Sequence, residues 1–418
     1  MNALKTLLKL LAPKKKQVPT ELLGTLGVTL IKHTKLFRVK AEFKGHAAVI
    51  TDKDPKTLFD VFKHGTLVLK IGSKRRKIKT DSISETLQID QAGASLLVEY
   101  RPNKKKLSTE DFLFLRVLGQ GTFGKVVLAK HKKTGRLYAC KIIKKTAEKD
   151  SIDKMINEKD ILQKISSPFL IHLLASFQTA ERVYLILPYV EGGELFKHLQ
   201  DEKAFSEDRA RIYIAELLIA VEHLHRNGII YRDLKPENIL LDREGHIVLC
   251  DFGMSVQNEV ARTYCGTPEY IAPEIIRGDA YTEAVDYYTL GVLLYEMVTG
   301  NPPFLTGEGE DRDDLENKIL FSEIEYPEGL SSEIKRLISR LVRKSPERRP
   351  KAEEIKQEPF FSGLEWDRVE RKEYMAELIS VEDDKEESNP AEASGESNAV
   401  GYKQTIPGFT YCKEEWDG

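Results

Sequence analysis

Two short runs constrain this chain more than anything else in it. The first is Tyr231-Arg232-Asp233-Leu234-Lys235-Pro236-Glu237-Asn238. The second is Asp251-Phe252-Gly253, whose aspartate lies eighteen residues after Asp233. Among their side chains are the carboxylates of Asp233 and Asp251, the Lys235 ammonium and the Asn238 amide oxygen. That set suits phosphoryl transfer, which needs a positioned hydroxyl, neutralised phosphates and an in-line geometry, and little covalent help from the protein. Oxygen donors such as Asn238 and Asp251 are also what a hard divalent cation takes beside phosphate oxygens.

With 418 residues the chain has room for two or three domains. Its 41% hydrophobic and 31% charged residues suit a soluble globular protein. No apolar run approaches the roughly 18 to 20 residues that span a bilayer. The leucines near Met1 lack the clean apolar core and cleavage site of a secretory signal. Four scattered cysteines show neither metal-ligand spacing nor a disulfide framework, so a reducing, cytoplasmic location is expected. The net charge of -2 conceals an asymmetry. Residues 1–106 carry 23 Lys/Arg against 9 Asp/Glu, a net +14, and residues 362–418 carry 6 against 15, a net -9. A basic N-terminal part points to an anionic partner. With no nucleic-acid motif in view, an anionic membrane surface is expected and nucleic acid is not.

In residues 1–20, Leu4, Leu7, Leu8 and Leu11 fall on one helical face beside Lys5, Lys9 and Lys14–Lys16. This reads either as an interfacial membrane helix or as a helix docked on its own domain. Residues 21–102 alternate like β-strands over Gly27–Ile31, Phe37–Phe43 and Thr66–Ile71. Turn signals separate those runs, and the pattern predicts a small antiparallel sandwich or barrel. Gly24-Thr25-Leu26-Gly27-Val28-Thr29-Leu30-Ile31 resembles the first strand of a C2 domain. Only Asp52 and Asp54 pair up as candidate Ca2+ ligands, too few for such a site. Lys74–Lys79 would either meet anionic headgroups or form a solvated basic hairpin. Residues 103–111 read as a linker.

Leu118-Gly119-Gln120-Gly121-Thr122-Phe123-Gly124-Lys125-Val126 is a G-x-G-x-x-G-x-V run, whose glycines let backbone close over phosphates. Dinucleotide-binding folds share its core but place it between a strand and a helix. Here Val126, Val127 and Leu128 follow, which favours strand–turn–strand. Ala139-Cys140-Lys141 comes next at strand spacing, and Glu158 lies in a helical stretch beyond it. Tyr184–Val190 is an apolar strand. Ala210–Arg226 is apolar at helical spacing and delivers the run that begins at Tyr231.

Over residues 112–361 these features together resemble the eukaryotic protein kinases. Finer marks resemble the AGC group: Tyr231 where most kinases carry His, Thr263-Tyr264-Cys265-Gly266-Thr267-Pro268-Glu269-Tyr270, and a C-terminal tail with Ile406-Pro407-Gly408-Phe409-Thr410-Tyr411. The resemblance implies an α+β, bilobal kinase fold with a β-rich N-lobe and a helical C-lobe. It would follow a small β-rich domain and precede a tail at 362–418. It implies ATP and Mg2+ as cofactors. Asp233 would orient the substrate hydroxyl and Lys235 would stabilise the transferring group. Asn238 and Asp251 would hold the metal. Lys141 would bind phosphates and pair with Glu158. Leu118, Gly119, Gly121, Gly124, Val126, Ala139, Pro188, Val190, Glu194 and Leu240 would line the nucleotide site, with Leu187 as gatekeeper. Asp286 would brace the catalytic loop, and Glu274 would pair with Arg349.

The same resemblance implies phosphorylation by an upstream kinase at Thr263, paired with Arg232 and Lys154, and at Thr410. Ser388 lies 22 residues before Thr410, where a turn-motif site would fall. Glu194, Glu237 and Glu296 match acids that bind arginines ahead of the target Ser/Thr, so basic protein sites are the expected substrates. Several positions depart from the pattern. Val256 stands where relatives carry a lysine that holds the phosphothreonine. Ile406 replaces a Phe, which predicts weaker tail docking. Tyr287-Tyr288 replaces a Trp pair. An inert scaffold would have to lose Lys141, Asp233 or Asp251, and all three are present.

Overall fold

A computed structural model describes residues 107–374 except 122, 123, 259 and 308. It also describes residues 405–413 and the backbone of the strands within 22–102. The leucine face at 4–11, the linker at 103–106, Ser388 and the acidic run around it lie outside the described residues. The chain divides into two compact units, Met1–Leu107 and Ser108–Gly418.

In the first unit, strands β1 (Leu22–His33), β4 (Lys56–Phe62), β7 (Thr86–Gln91) and β8 (Ala94–Pro102) form one sheet, ordered β4-β1-β8-β7. Strands β2 (Arg38–Phe43), β3 (His46–Thr51), β5 (Thr66–Ile71) and β6 (Lys74–Lys79) form another, ordered β3-β2-β5-β6. Every pairing is antiparallel. The alternating runs fall in β1, β2 and β5. The basic run Lys74–Lys79 is itself a strand, paired to β5 with Arg75 opposite Lys70.

The second unit begins with a sheet ordered β16-β12-β13-β11-β10-β9. Its strands are β9 (Phe112–Gly121), β10 (Gly124–His131), β11 (Leu137–Lys144), β12 (Ala175–Gln178), β13 (Arg182–Pro188) and β16 (Tyr411–Cys412). Val, Ile and aromatic residues suit this pleated, half-buried surface. Phe177 stacks on Tyr184 at 4.7 Å and on Phe112 at 6.0 Å. Helix α1 (Lys149–Lys164) buries Met155, Glu158, Lys159, Ile161 and Leu162, with Lys159 paired to Asp160 at 2.9 Å. Three of these are apolar, and because Lys159 pairs with Asp160 the buried Glu158 carboxylate needs another cation opposite it.

The rest of the unit is mainly helical. After α2 (Leu195–Glu202), helix α3 (Glu207–Arg226) starts at Ser206, whose hydroxyl accepts from the Arg209 amide at 3.3 Å. Acids in its first turn and His223, His225 and Arg226 in its last suit the helix dipole. The hairpin of β14 (Ile239–Leu241) and β15 (Ile247–Leu249) pairs Ile239 with Leu249. Helix α4 (Ala284–Thr299) is buried on most of its surface and packs on α3 and on α6 (Ser332–Leu341). Helix α5 (Arg312–Phe321) lies between them in the chain. Among the described residues no helix is long and apolar enough to cross a membrane.

Candidate active site

The loop after α3 is held from below by one carboxylate. Asp286, fully buried at the start of α4, accepts from the Tyr231 amide at 2.9 Å and the Arg232 amide at 2.8 Å, and pairs with His225 Nε2 at 2.7 Å. Tyr231 donates its hydroxyl to the Cys250 carbonyl, tying the loop to the end of β15. These bonds hold a strained backbone. Arg232 has φ 73° and Asp251 φ 54°, left-handed values that side chains other than glycine rarely take. Such residues cost about 1–3 kcal/mol each and persist only where their surroundings fix them.

Asp233 sits at the tip of the loop with donors around it. Its Oδ1 accepts from Thr267 Oγ1 at 3.0 Å, and its Oδ2 accepts from Asn238 Nδ2 at 2.8 Å. Lys235 Nζ lies 3.1 Å from Asp233 Oδ2 and donates to Thr267 Oγ1 at 2.8 Å. A carboxylate oriented in this way can receive a hydroxyl proton, and an ammonium beside it can neutralise an oxyanion.

Above the loop, Lys141 of β11 meets the carboxylate stranded on α1. Its Nζ lies 2.6 Å from Glu158 Oε1 and 2.8 Å from Asp251 Oδ1. Burial works against the ammonium, yet the Glu158 and Asp251 charges hold the Lys141 pKa above the ordinary lysine value. Burial likewise pushes Asp251 up, but Lys141 outweighs it, and the pKa lies below the usual carboxylate value. At neutral pH Lys141 is therefore charged and Asp251 ionised. The Asp251 side chain keeps 45% of its surface open, against 5% for Glu158. One partner is closed in and the other can take a further ligand.

The β14–β15 hairpin brings Asn238 and Asp251 to one end of that arrangement. Asn238 precedes β14, Asp251 follows β15, and the Cys250 amide donates to the Asn238 carbonyl at 2.9 Å. Two oxygen donors beside an open carboxylate fit a hard divalent ion that also takes phosphate oxygens and water. The glycine run divides by position. At Gly124, φ is 137° and a Cβ would sit 2.3 Å from the Ile142 carbonyl oxygen, so the turn itself requires glycine. At Gly119 and Gly121 a Cβ would meet nothing within 4 Å. The chain's own packing does not demand glycine there, but close approach of a phosphate would. Leu118, Val126, Ala139, Pro188, Val190 and Leu240 are all half-buried, leaving apolar surface at the junction of sheet and helices. The segment after Val190 is bonded to β14: the Gly192 amide donates to the Leu241 carbonyl and the Leu241 amide to the Gly193 carbonyl, each at 2.9 Å. Glu194 forms a bridge with Leu240.

Residues 112–361 match the family model for the protein kinase domain. The chain belongs to the protein kinase family. It is 43% identical over 281 residues to a RAC family serine/threonine-protein kinase homolog of Dictyostelium discoideum, covering 65% of this chain and 63% of that one. It is 45% identical over 291 residues to a serine/threonine-protein kinase of Saccharomyces cerevisiae, covering 67% and 42%. It is 40% identical over 339 residues to Protein kinase 2 of Dictyostelium discoideum, covering 76% and 70%. These similarities place the domain in the AGC group. The chain spans 42% to 63% of the length of the first two relatives. A protein kinase domain uses ATP and a divalent metal.

The kinase domain brings Lys141, Glu158, Asp233, Lys235, Asn238 and Asp251 together. The anticipated pair of Arg349 and Glu274 is present as a buried fork, with contacts of 2.5 and 2.7 Å. The three acids expected on the substrate face differ. Glu237 is exposed and Glu194 half-buried, whereas Glu296 is buried and accepts from the Tyr270 hydroxyl. Burial, with Glu237 and Glu269 nearby, lifts the Glu296 carboxyl to about 7. Sequence reasoning passed over Glu269, and also over Thr267, whose hydroxyl bridges Asp233 and Lys235. Thr267 lay in a quoted motif, but no periodicity links it to a loop 34 residues earlier.

Thr263 is exposed. Arg232, expected to face its side chain, is buried and donates to the Met254 carbonyl at 2.6 Å and to the Tyr281 hydroxyl at 2.9 Å. The tail is seated on the sheet with Ile406 in place of Phe. Ile406 and Phe409 are buried. Gln178 donates to the Ile406 carbonyl at 2.8 Å and accepts from its amide at 2.9 Å, and Ser176 Oγ donates to the Phe409 carbonyl at 2.5 Å. Tyr411–Cys412 then extends the sheet beside β12, leaving Thr410 exposed. Main-chain pairing at a sheet edge does not depend on which apolar side chain fills the first pocket.

Proposed function

We propose that this chain is a serine/threonine protein kinase that transfers the γ-phosphoryl group of ATP, with Mg2+, to Ser/Thr hydroxyls in arginine-rich protein sites. The observation that carries the reading is the Asp233–Thr267–Lys235 arrangement, with contacts of 2.8 to 3.1 Å, below the Lys141–Glu158–Asp251 cluster. In this reading Asp233 accepts a hydrogen bond from the substrate hydroxyl, aligns it as the nucleophile and takes its proton. Lys235 neutralises charge on the moving group. Lys141, held by Glu158, offers its ammonium to the α- and β-phosphates. Asn238 and Asp251 would hold Mg2+, which when bound would supply charge neutralisation on the phosphates. Leu118, Val126, Ala139 and Leu240 sandwich the base, and Pro188 and Val190 offer backbone groups to it. The acids Glu194, Glu237 and Glu296 favour arginines ahead of the target residue.

Regulation in this reading comes from an upstream kinase acting on Thr263 in the activation segment and on Thr410 in the seated tail. The chain works in the cytoplasm. Its +14 charge over residues 1–106, with the basic strand β6, draws it to anionic membrane surfaces. Liposome sedimentation with and without anionic lipid tests that part, and equal pelleting overturns it.

The deciding experiment is phosphorylation of an Arg-x-Arg-x-x-Ser peptide by the purified chain, beside Asp233→Asn and a peptide with alanines for arginines. We expect activity in the parent and a loss of about 10²- to 10⁴-fold in the variant. The alanine peptide should be a poor substrate. A parent that is fully phosphorylated on Thr263 by mass spectrometry yet inert overturns the kinase reading. Equal rates on the two peptides overturn the arginine preference alone.

A further inference from the structure

Tyr281 lies five residues before Asp286, the residue that braces the catalytic loop, and is 2% exposed. It grips the activation segment at three points. Its amide and carbonyl pair with those of Ala261, each at 2.9 Å. Its hydroxyl donates to the Thr263 carbonyl at 2.8 Å, and the Cys265 sulfur lies 3.7 Å from the Tyr281 hydroxyl oxygen. That hydroxyl also accepts from Arg232 Nη1 at 2.9 Å, while Arg232 Nε donates to the Met254 carbonyl at 2.6 Å. The chain of contacts runs from the start of the segment, through Arg232, to the main chain of Thr263. Arg232 is the left-handed residue directly before Asp233, so a shift of its guanidinium is felt at the reacting carboxylate.

We propose that the Tyr281 hydroxyl is a positioning group that couples the catalytic loop to the activation segment and takes over part of the ordering that a phosphate on Thr263 provides. It acts on the Thr263 carbonyl, which phosphorylation leaves unchanged. Val256 provides no ammonium at the position where relatives carry the phosphothreonine-binding lysine. Instead its amide and carbonyl pair with those of Ile230 at 3.0 Å, giving the segment another main-chain anchor. A phosphate at Thr263 thus adds to an arrangement already held by hydrogen bonds, two of them donated by the Arg232 guanidinium. The inference rests on the kinase reading and on Thr263 as its phosphosite, and it predicts graded activation where a charge-dependent segment gives an all-or-none response.

The test is a double-mutant cycle on the full chain: parent phosphorylated on Thr263, Tyr281→Phe, Thr263→Ala and the pair together. Phenylalanine keeps the buried ring and removes only the oxygen. We expect Thr263→Ala to retain measurable activity. Tyr281→Phe should lower its kcat about tenfold, because it removes two hydrogen bonds and one of them comes from a charged guanidinium, with KM for ATP unmoved. In the phosphorylated background the same change should cost under about twofold, because the phosphate holds Arg232 independently. An inert Thr263→Ala, or an equal loss in both backgrounds, overturns the proposal. Hydrogen exchange at the Ala261–Cys265 amides decides it without catalysis. Faster exchange there in Tyr281→Phe supports the proposal, and unchanged exchange overturns it. If the fully phosphorylated parent were inert, the kinase reading would fall while exchange still reported on Tyr281.

Discussion

Two buried ion pairs in this domain are built from similar parts and do different things. Arg349 and Glu274 are 0% and 2% exposed and meet through two parallel contacts, with Arg349 also donating to the Ala284 carbonyl at 2.9 Å. A planar guanidinium matched to a carboxylate has little freedom to exchange partners. Lys141 instead brings one rotatable ammonium to two carboxylates, and one of these, Asp251, is open. A point charge on a flexible stem can keep Glu158 while phosphate oxygens come to share it. The difference teaches that burial alone does not mark a functional pair. The mark is a cation with more acid around it than the fold requires, at a cleft.

The sharpest way to break this comparison is to exchange the cations. Lys141→Arg retains the charge but replaces a compact ammonium with a fork. Phosphotransfer should fall by about 10²- to 10³-fold or more, with thermal unfolding little changed. Arg349→Met leaves Glu274 charged and buried, which should cost about 3–5 kcal/mol of stability. Activity would then fall only as the folded population falls. Denaturant unfolding run beside peptide kinetics separates the two. Equal destabilisation by both variants would erase the distinction.

Glu296 is a third kind of buried acid, held by the Tyr270 hydroxyl with like charges nearby. Its carboxyl is raised from the ordinary 4.5 to about 7, so the folded chain favours its neutral form. A raised folded value adds stability below about pH 4.5, and that contribution is lost as pH rises through about 7. Recognition of a substrate arginine has the opposite sign, because only the ionised carboxylate attracts it. The ratio of kcat/KM for the arginine peptide over its alanine version should rise between pH 6 and 8, by up to about tenfold for a single titration across that window. Glu296→Gln should flatten the rise. A ratio that ignores pH in the parent would remove Glu296 from arginine recognition.

Much of this site was legible because its motifs are local. Asp233, Lys235 and Asn238 lie within six residues, and Asp251 follows across one hairpin. Glu158 could be read because the kinase resemblance calls for a helix glutamate opposite Lys141, and the stretch after Asn157 supplies one. Alternation broken by turn signals marked the stretches that lie in β1, β2 and β5 of the first unit. What escaped was long-range and polar. Tyr281 reaches Arg232 across 49 residues and Thr267 reaches Asp233 across 34. Neither distance leaves a period in the sequence. The burial of Glu296 escaped for the opposite reason. Helix α4 is apolar almost all round, so its pattern did not tell which face an embedded acid would take.

The smallest effect lies beneath the structural pair. Tyr288 is fully buried, with its ring 5.0 Å below the Arg349 guanidinium, and its hydroxyl finds no hydrogen-bond partner among the described residues. Burial pushes its pKa well up, so it stays a neutral phenol and adds no charge to the pair. The ring supports Arg349 through its π face, which phenylalanine shares. The hydroxyl brings a desolvation cost without a bond to offset it. Tyr288→Phe should therefore leave stability unchanged or raise it by about 1 kcal/mol, with catalysis untouched. Guanidinium chloride unfolding of the two chains measures this directly. A loss of about 1 kcal/mol or more would mean that the hydroxyl has a partner, such as a buried water joined to the Glu274–Arg349 fork, and that this pair rests on a wider polar network than the two residues alone.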